Sequence, residues 1–281
     1  MLRAAGWVAI AGLLMAGACG TSEPTPTPTP TPTGEFKSAL NLAPLLPATA
    51  DVVGVTVSPE GKTYVLDRVS GLYLLEGARA ALVFAAPAGI ELTDVVALGG
   101  ERFAVPAEND GFMIDVHNQT FSSYFCYLPS VDPGTVAPGG PPSISQDLRN
   151  AGIEVAERTE SVAFNHDTLQ LFAQPRTTRM DTGQVVGSEL FIFLEGGGQP
   201  VAVQPLPNVS FVAGGMVAVA GARLLLGQGS VIYEMAGAGL APSPRKLLAD
   251  KTVDISGLAL DTGGDLLVLD RANRRLLAMA W

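Results

Sequence analysis

Side chains able to do chemistry are sparse in this chain, and the most suggestive of them are carboxylates. Asp51, Asp94, Glu160 and Asp254 each stand an even number of residues ahead of the end of a short apolar run. Successive side chains of an extended strand alternate between faces, so an even offset assigns all four to one face. If the runs are inner strands around a channel, these residues lie at one rim. A rim of carboxylates attracts a hard cation such as Ca²⁺, which takes several oxygen ligands. The competing use of such acids is to cap loops or accept bonds from neighbouring backbone amides. The second use is favoured here, because the fourth run offers only Ala213 or Gly215 at that place and the offsets are unequal.

Other chemistry finds little to work with. The two histidines, His117 and His166, stand apart, and His166 sits beside Asp167 where a turn is expected. No H-E-x-x-H, paired C-x-x-C, G-x-S-x-G or Walker loop occurs, so the common zinc, acyl-transfer and nucleotide signatures are missing from the sequence. Cys126, among Tyr124, Phe125, Tyr127 and Leu128, reads as a small core hydrophobe. A net charge of −10 without a Lys/Arg cluster argues against nucleic acid, whose phosphates demand one. Two Asp-Arg pairs, Asp67-Arg68 and Asp270-Arg271, recur in equivalent places. Recurrence points to a structural duty, with Asp serving turn amides and Arg covering apolar surface with its stem.

The elements that must hold these residues come from a repeat. DVVGVTVSPEGKTYVLDRVSGLYLL (51–75) is written again as DISGLALDTGGDLLVLDRANRRLLA from Asp254, matching at Asp51/Asp254, Gly54/Gly257, Gly61/Gly264, Val65/Val268, Leu66/Leu269, Asp67/Asp270, Arg68/Arg271 and Leu74/Leu277. Each copy predicts three short strands separated by turns. A second unit starts at Thr93, and from Gly61 to Gly100 the step is 39 residues, the length of one four-stranded propeller blade. A third unit spans Ser161–Leu206, interrupted by an insertion from Gln174 to Ser188, and a fourth spans Met216–Leu248. The fold class expected is therefore all-β, a propeller of five four-stranded blades, or six if residues 129–157 hide a degenerate one. The last unit stops after three strands. Closure of the ring then requires an N-terminal strand, and the spare apolar segment Leu40–Leu46 is expected to pair with Leu276–Met279. The pattern at Gly61–Arg68 and Gly264–Arg271 resembles the NHL repeat, whose propellers close in this circular way. In lactonase-like and regucalcin-like propellers a cation near the rim supports hydrolysis, which is what that resemblance would imply for Asp51, Asp94, Glu160 and Asp254.

Ahead of the repeat lies an addressing segment. Arg3 precedes an apolar run from Ala4 to Ala18, short for a membrane span and suited to a signal peptide. The run ends Ala16-Gly17-Ala18 before Cys19 and resembles a bacterial lipobox, with Ala16 where Leu is usual. That resemblance implies a signal peptide over 1–18, lipidation of Cys19 and a membrane anchor. Gly20 after the cysteine points to the outer membrane by analogy with well-studied envelopes. Residues 19–34 carry alternating Thr-Pro, an extended tether reaching about 40 Å. The propeller domain is placed at 35–281, with a long Pro/Gly-rich loop at 129–150 as its foremost contact element. The expected function is a lipid-anchored, non-catalytic envelope module that binds or scaffolds a protein partner. A cation-dependent hydrolase, or a propeller holding a small envelope ligand in its channel, are the alternatives.

Overall fold

The computed structural model describes residues 31–32, 35–107, 110–126, 144–198, 200–206, 214–219, 223–236 and 243–281. In chain order, a short strand β1 (Thr31–Pro32) and strand β2 (Ser38–Asn41) precede the first blade. That blade comprises β3 (Val52–Val57), β4 (Thr63–Asp67), β5 (Gly71–Glu76) and β6 (Arg79–Ala85). The second comprises β7 (Val96–Gly99), β8 (Arg102–Ala107), β9 (Asp110–Asp115) and β10 (Thr120–Cys126). Helix α1 (Ile144–Asn150) leads to the third blade, made of β11 (Val155–Asn165), β12 (Gln170–Arg179), β13 (Val185–Leu194) and β14 (Ala202–Pro205). The fourth is β15 (Gly215–Val219), β16 (Arg223–Gln228), β17 (Val231–Ala236) and β18 (Ser243–Leu247). The fifth is β19 (Ile255–Leu260), β20 (Asp265–Asp270) and β21 (Arg275–Ala280), completed by β2.

Five sheets in a ring make this a five-bladed β-propeller, and the six-bladed alternative falls away. Neighbouring inner strands β3, β7, β11, β15 and β19 touch around the channel. Each blade packs on the next through its own apolar cluster, five in all: blades 1 and 2 share Tyr64, Leu66, Leu92 and Phe103, for example, and blades 4 and 5 share Leu225, Ile255 and Val268. The repeated leucines and valines read from the sequence are the centres of these clusters, with Val65, Leu66, Val268 and Leu269 wholly buried.

The ring closes as the truncated last unit requires. Ser38–Asn41 pairs antiparallel with β21, from Ser38 opposite Ala278 to Asn41 opposite Arg275. The strand lies slightly earlier than the expected Leu40–Leu46. The remainder of that segment turns inward instead, burying Leu42 and Leu46 in the cluster between blades 5 and 1. Thr31–Pro32, at the end of the tether, adds a parallel strand to the outer edge of blade 4 beside Lys246 and Leu247.

Two expectations about irregular segments are corrected. The stretch Gln174 to Ser188 is no insertion between strands: β12 and β13 continue through most of it as one long hairpin, Arg176 facing Ser188. Blade 3 thereby extends beyond its neighbours, because β11 already begins at Val155. Within the expected 129–150 loop, Ile144–Asn150 is helical, and Arg149 ties it to the extension through Glu157 at 2.9 Å. Residues 127–143, the side chain of Cys126 and residues 1–30 with Cys19 lie outside the described residues.

Glycine sets how closely the inner strands approach. A Cβ on Gly257 would lie 2.9 Å from the Val55 nitrogen, and one on Gly215 would lie 2.5 Å from the Gly257 Cα. A Cβ on Gly54 would lie 2.7 Å from Asp94 Oδ1. The matched pair Gly54/Gly257 is thus a packing requirement, and Gly215 repeats it where blade 4 presses on blade 5.

Candidate ligand site at the channel mouth

The repeat builds the mouth twice over. In blade 1 the chain enters β3 through Asp51 and leaves β4 through Asp67-Arg68. Buried Asp67 accepts hydrogen bonds from the Asp51 N–H at 2.6 Å and from the N–H of Ser70 at 3.0 Å, together with the Ser70 hydroxyl. Blade 5 repeats this: Asp270 accepts from the Asp254 N–H at 3.2 Å, from Asn273 Nδ2 at 2.7 Å and from Arg275 Nε at 2.7 Å. The amide-serving role expected of these aspartates is what the structure shows. The arginines depart from expectation. Arg68 Nε donates to Asp51 Oδ2 at 2.8 Å, while Arg271 crosses from blade 5 with Nε 2.6 Å from Oδ1 and Nη2 2.7 Å from Oδ2. One carboxylate is held by two guanidinium groups, one of them bidentate, the geometry Arg is suited to.

Strand register identifies which residues share the rim. Val52 faces Asp67, Leu92 faces Ala107, Thr159 faces Pro175 and Ile255 faces Asp270. Asp51, Glu91 and Asp254, just before Val52, Leu92 and Ile255, occupy equivalent places; in blade 3 Gln174, opposite Ser161, stands where Asp67 does, so Glu160 in the adjoining bulge takes that place and Arg158 lies further out. Asp94 sits further along its strand, beside Gly54. Asp94 is buried in the inner wall, with Oδ1 accepting from the Val95 N–H at 2.8 Å and Oδ2 from the Val162 N–H at 2.9 Å, so it fastens blade 2 to blade 3. Burial pushes its carboxyl well above the usual range against the pull of those two amides. Glu160 faces the mouth from a β-bulge, 3.1 Å from Arg176 Nη2 but off-line for a hydrogen bond. Bulges interrupt the ladder at Val53, Glu160 and Ser256, each adding a residue and shifting every period-2 count made across it. Glu91 was within reach of the sequence: it follows Asp51 by 40 residues, one more than the Gly61–Gly100 step. Arg158 had no such signal, because blade 3 departs from the repeat length.

A cavity of about 160 Å³ opens here, lined by Val53, Arg68, Thr93, Glu160, Asp254 and Arg271 among others. Its donor set does not fit the Ca²⁺ rim that the sequence offered as the less favoured use of these acids. Asp51 is taken by two arginines, Glu160 lies beside Arg176, Glu91 is 3.7 Å from Arg158, and Asp94 is turned into the wall. No three His, Cys, Asp or Glu side chains are grouped to hold a metal among the described residues. Asp254 differs from the rest, since no hydrogen bond or ion pair engages its carboxylate among the described residues. The register explains why. By the geometry Arg271 uses toward Asp51, an arginine of blade 4 would reach Asp254. Gly215 opposite Gly227 corresponds to Gly54 opposite Leu66, which puts Gly229 where Arg68 stands.

Most side chains at the far end of the channel are apolar, in a cavity of about 120 Å³ walled by residues such as Val55, Ala97, Met216 and Leu258, with Thr56 and backbone groups adding polar surface. His166 lines it, edge-on to Phe164 at 4.9 Å, and its burial holds the imidazole below its usual range. His117 belongs to the exposed turn after β9. Neither histidine meets the mouth carboxylates.

Fold and site together define a five-bladed propeller with a charged mouth at the entry of its inner strands. Compared with family models the chain matches none, and no curated protein sequence matches it. Solved structures do resemble it in fold. A gluconolactonase from Xanthomonas campestris is 11% identical over 83% of this chain and 74% of that one, with a TM-score of 0.50. A luciferin-regenerating enzyme is 14% identical over 82% and 72%, at 0.49, and a virginiamycin B lyase from Staphylococcus aureus is 14% identical over 84% and 68%, at 0.42. At 11% identity the likeness to the gluconolactonase is one of fold alone.

Proposed function

We propose that the protein is a lipid-anchored propeller of the bacterial cell envelope, held at the outer membrane through Cys19, and that it is a non-catalytic binding module using the channel mouth. The observation that carries this reading is the clamp of Arg68 and Arg271 on Asp51. It ties up the rim carboxylate best placed for a cation or for proton transfer, and it frames a polar recess between blades 5 and 1. Fixed guanidinium and carboxylate groups at a concave mouth orient a polar ligand without any bond being made or broken. The signal-like run before Cys19 and the Thr-Pro tether support the anchored placement.

Membrane fractionation and crosslinking of the full-length protein in its native membranes test both halves. Cys19→Ala is expected to move the protein into the soluble fraction; persistence in the membrane overturns the anchor. Crosslinkers placed at the mouth are expected to capture a specific partner or ligand, and capture of neither by the intact protein overturns the binding reading.

A further inference from the structure

The N-terminal segment meets the ring at the outer seam of blades 4 and 5. Thr31–Pro32 lies beside Lys246 and Leu247 on blade 4, Phe36 packs against the cluster between the two blades, and the Lys37 N–H donates to the Ala278 carbonyl of β21 at 2.8 Å. The chain running back toward Cys19 therefore leaves from the edge of blade 4. Residues 19–30 separate that edge from the expected anchor, a reach of about 37 Å when extended.

Charge is unevenly divided around the ring. Residues 35–222, which hold blades 1 to 3, carry nine Lys and Arg against 20 Asp and Glu, whereas 223–281, most of blades 4 and 5, carry seven against six. The seam presents cations that its acids only partly offset. Arg223 and Arg245 share one carboxylate, Glu234, at 3.0 and 3.1 Å, with the Arg245 side chain 65% exposed. Lys246 has no acidic partner among the described residues: its Nζ donates to the Ala280 carbonyl at 2.9 Å and lies 5.2 Å from the centre of the Trp281 ring. Trp281 is itself 38% exposed. A tryptophan partly in solvent beside lysine and arginine suits the headgroup level of a bilayer, the ring in the interface and the cations on anionic lipid.

We propose that the seam of blades 4 and 5 is the face the propeller turns to an anionic phospholipid surface, with Trp281, Lys246 and Arg245 at the lipid. This rests on the anchored reading of the protein. Blades 1 to 3, which a negative surface repels, are held away from it. The tether then starts at the edge the membrane attracts, and the channel mouth opens along the bilayer instead of into it.

Trp7→Phe leaves Trp281 as the only tryptophan, whether or not the signal peptide is removed. Full-length protein with that substitution, reconstituted in vesicles of phosphatidylcholine and phosphatidylglycerol, tests the proposal by comparing Trp281 emission in brominated and unbrominated lipid. Bromine is expected to quench Trp281, and high salt to relieve the quenching. Arg245→Gln with Lys246→Gln should lower the population lying seam-down about tenfold or more, and the quenching with it, while the protein still pellets with the vesicles. Arg79→Glu, at an exposed position of blade 1, should leave the quenching unchanged. Unquenched Trp281 in a protein that pellets with the vesicles overturns the orientation and leaves the anchor standing. Quenching as strong in the double variant as in its parent also overturns it. A protein that does not pellet overturns the anchor and the orientation together.

Discussion

At the scale of single residues, the mouth is governed by which carboxylates are already spoken for. Burial pushes the Asp51 carboxyl up, but hydrogen bonds from Arg271 and Arg68 outweigh it and hold the group below its ordinary 3.8. Asp250 is drawn lower still, to about 2, by the Thr252 hydroxyl and by Arg275. Both folded values lie below the unfolded ones, so the stability they contribute is present above about pH 4 and is lost as pH falls through the folded values. Thermal melts followed by circular dichroism should show a melting temperature that declines between about pH 4 and pH 2. Asp250→Asn should make that decline shallower, and an acid limb of unchanged steepness would count against this account. The sequence made Asp51 and Asp254 visible as a matched pair. It could not show that one is clamped and the other free, because that difference depends on Gly229, a residue of a different blade in a part of the repeat too eroded to align.

The elements tell a related story about what a period can and cannot carry. Strand positions, the turn glycines Gly61 and Gly264 with φ near +80°, and the buried Val-Leu pairs were legible because each obeys a local rule. The bulges at Val53, Glu160 and Ser256 obey no rule visible in one sequence, and each upsets the even-offset count by which Asp51, Glu160 and Asp254 were assigned to one face. The long hairpin of blade 3 was hidden for another reason: Arg176, Thr177, Thr178 and Arg179 are all polar, buried Thr177 included, so no apolar–polar alternation marked it as strand. Where inner strands meet, the constraint is backbone contact. Gly257→Ala would place its Cβ against the Val55 nitrogen at 2.9 Å and is expected to cost about 1–3 kcal/mol, by analogy with other overpacked sites. Guanidinium denaturation reads this as a lower midpoint at unchanged slope, and a midpoint equal to wild type would show that the inner strands can separate freely.

For the whole molecule, the truncated last unit was the most informative feature, since a three-stranded final blade demands a partner for its open edge. The structure supplies that partner in β2 and then adds an anchor behind it. Leu42, wholly buried between blades 5 and 1, fixes the segment after the strand, and Leu42→Ala should destabilise the fold by about 2–5 kcal/mol in chemical denaturation. A loss within the range typical of exposed sites would mean that the strand pairing holds the ring without it. The arrangement also sets a schedule. β2 is made before any blade, yet its only sheet partner among the described residues, β21, is the last strand of the ring. During synthesis the open edge of the growing structure therefore has nothing to close against, and the four earlier blades must wait as an arc. Ring closure is a search between distant segments, which slows folding and prolongs the exposure of bare strand edges. A newly made chain of this protein is thus most vulnerable to association with its copies just before β21 arrives, and the short, half-polar β2 is the element that ends that interval.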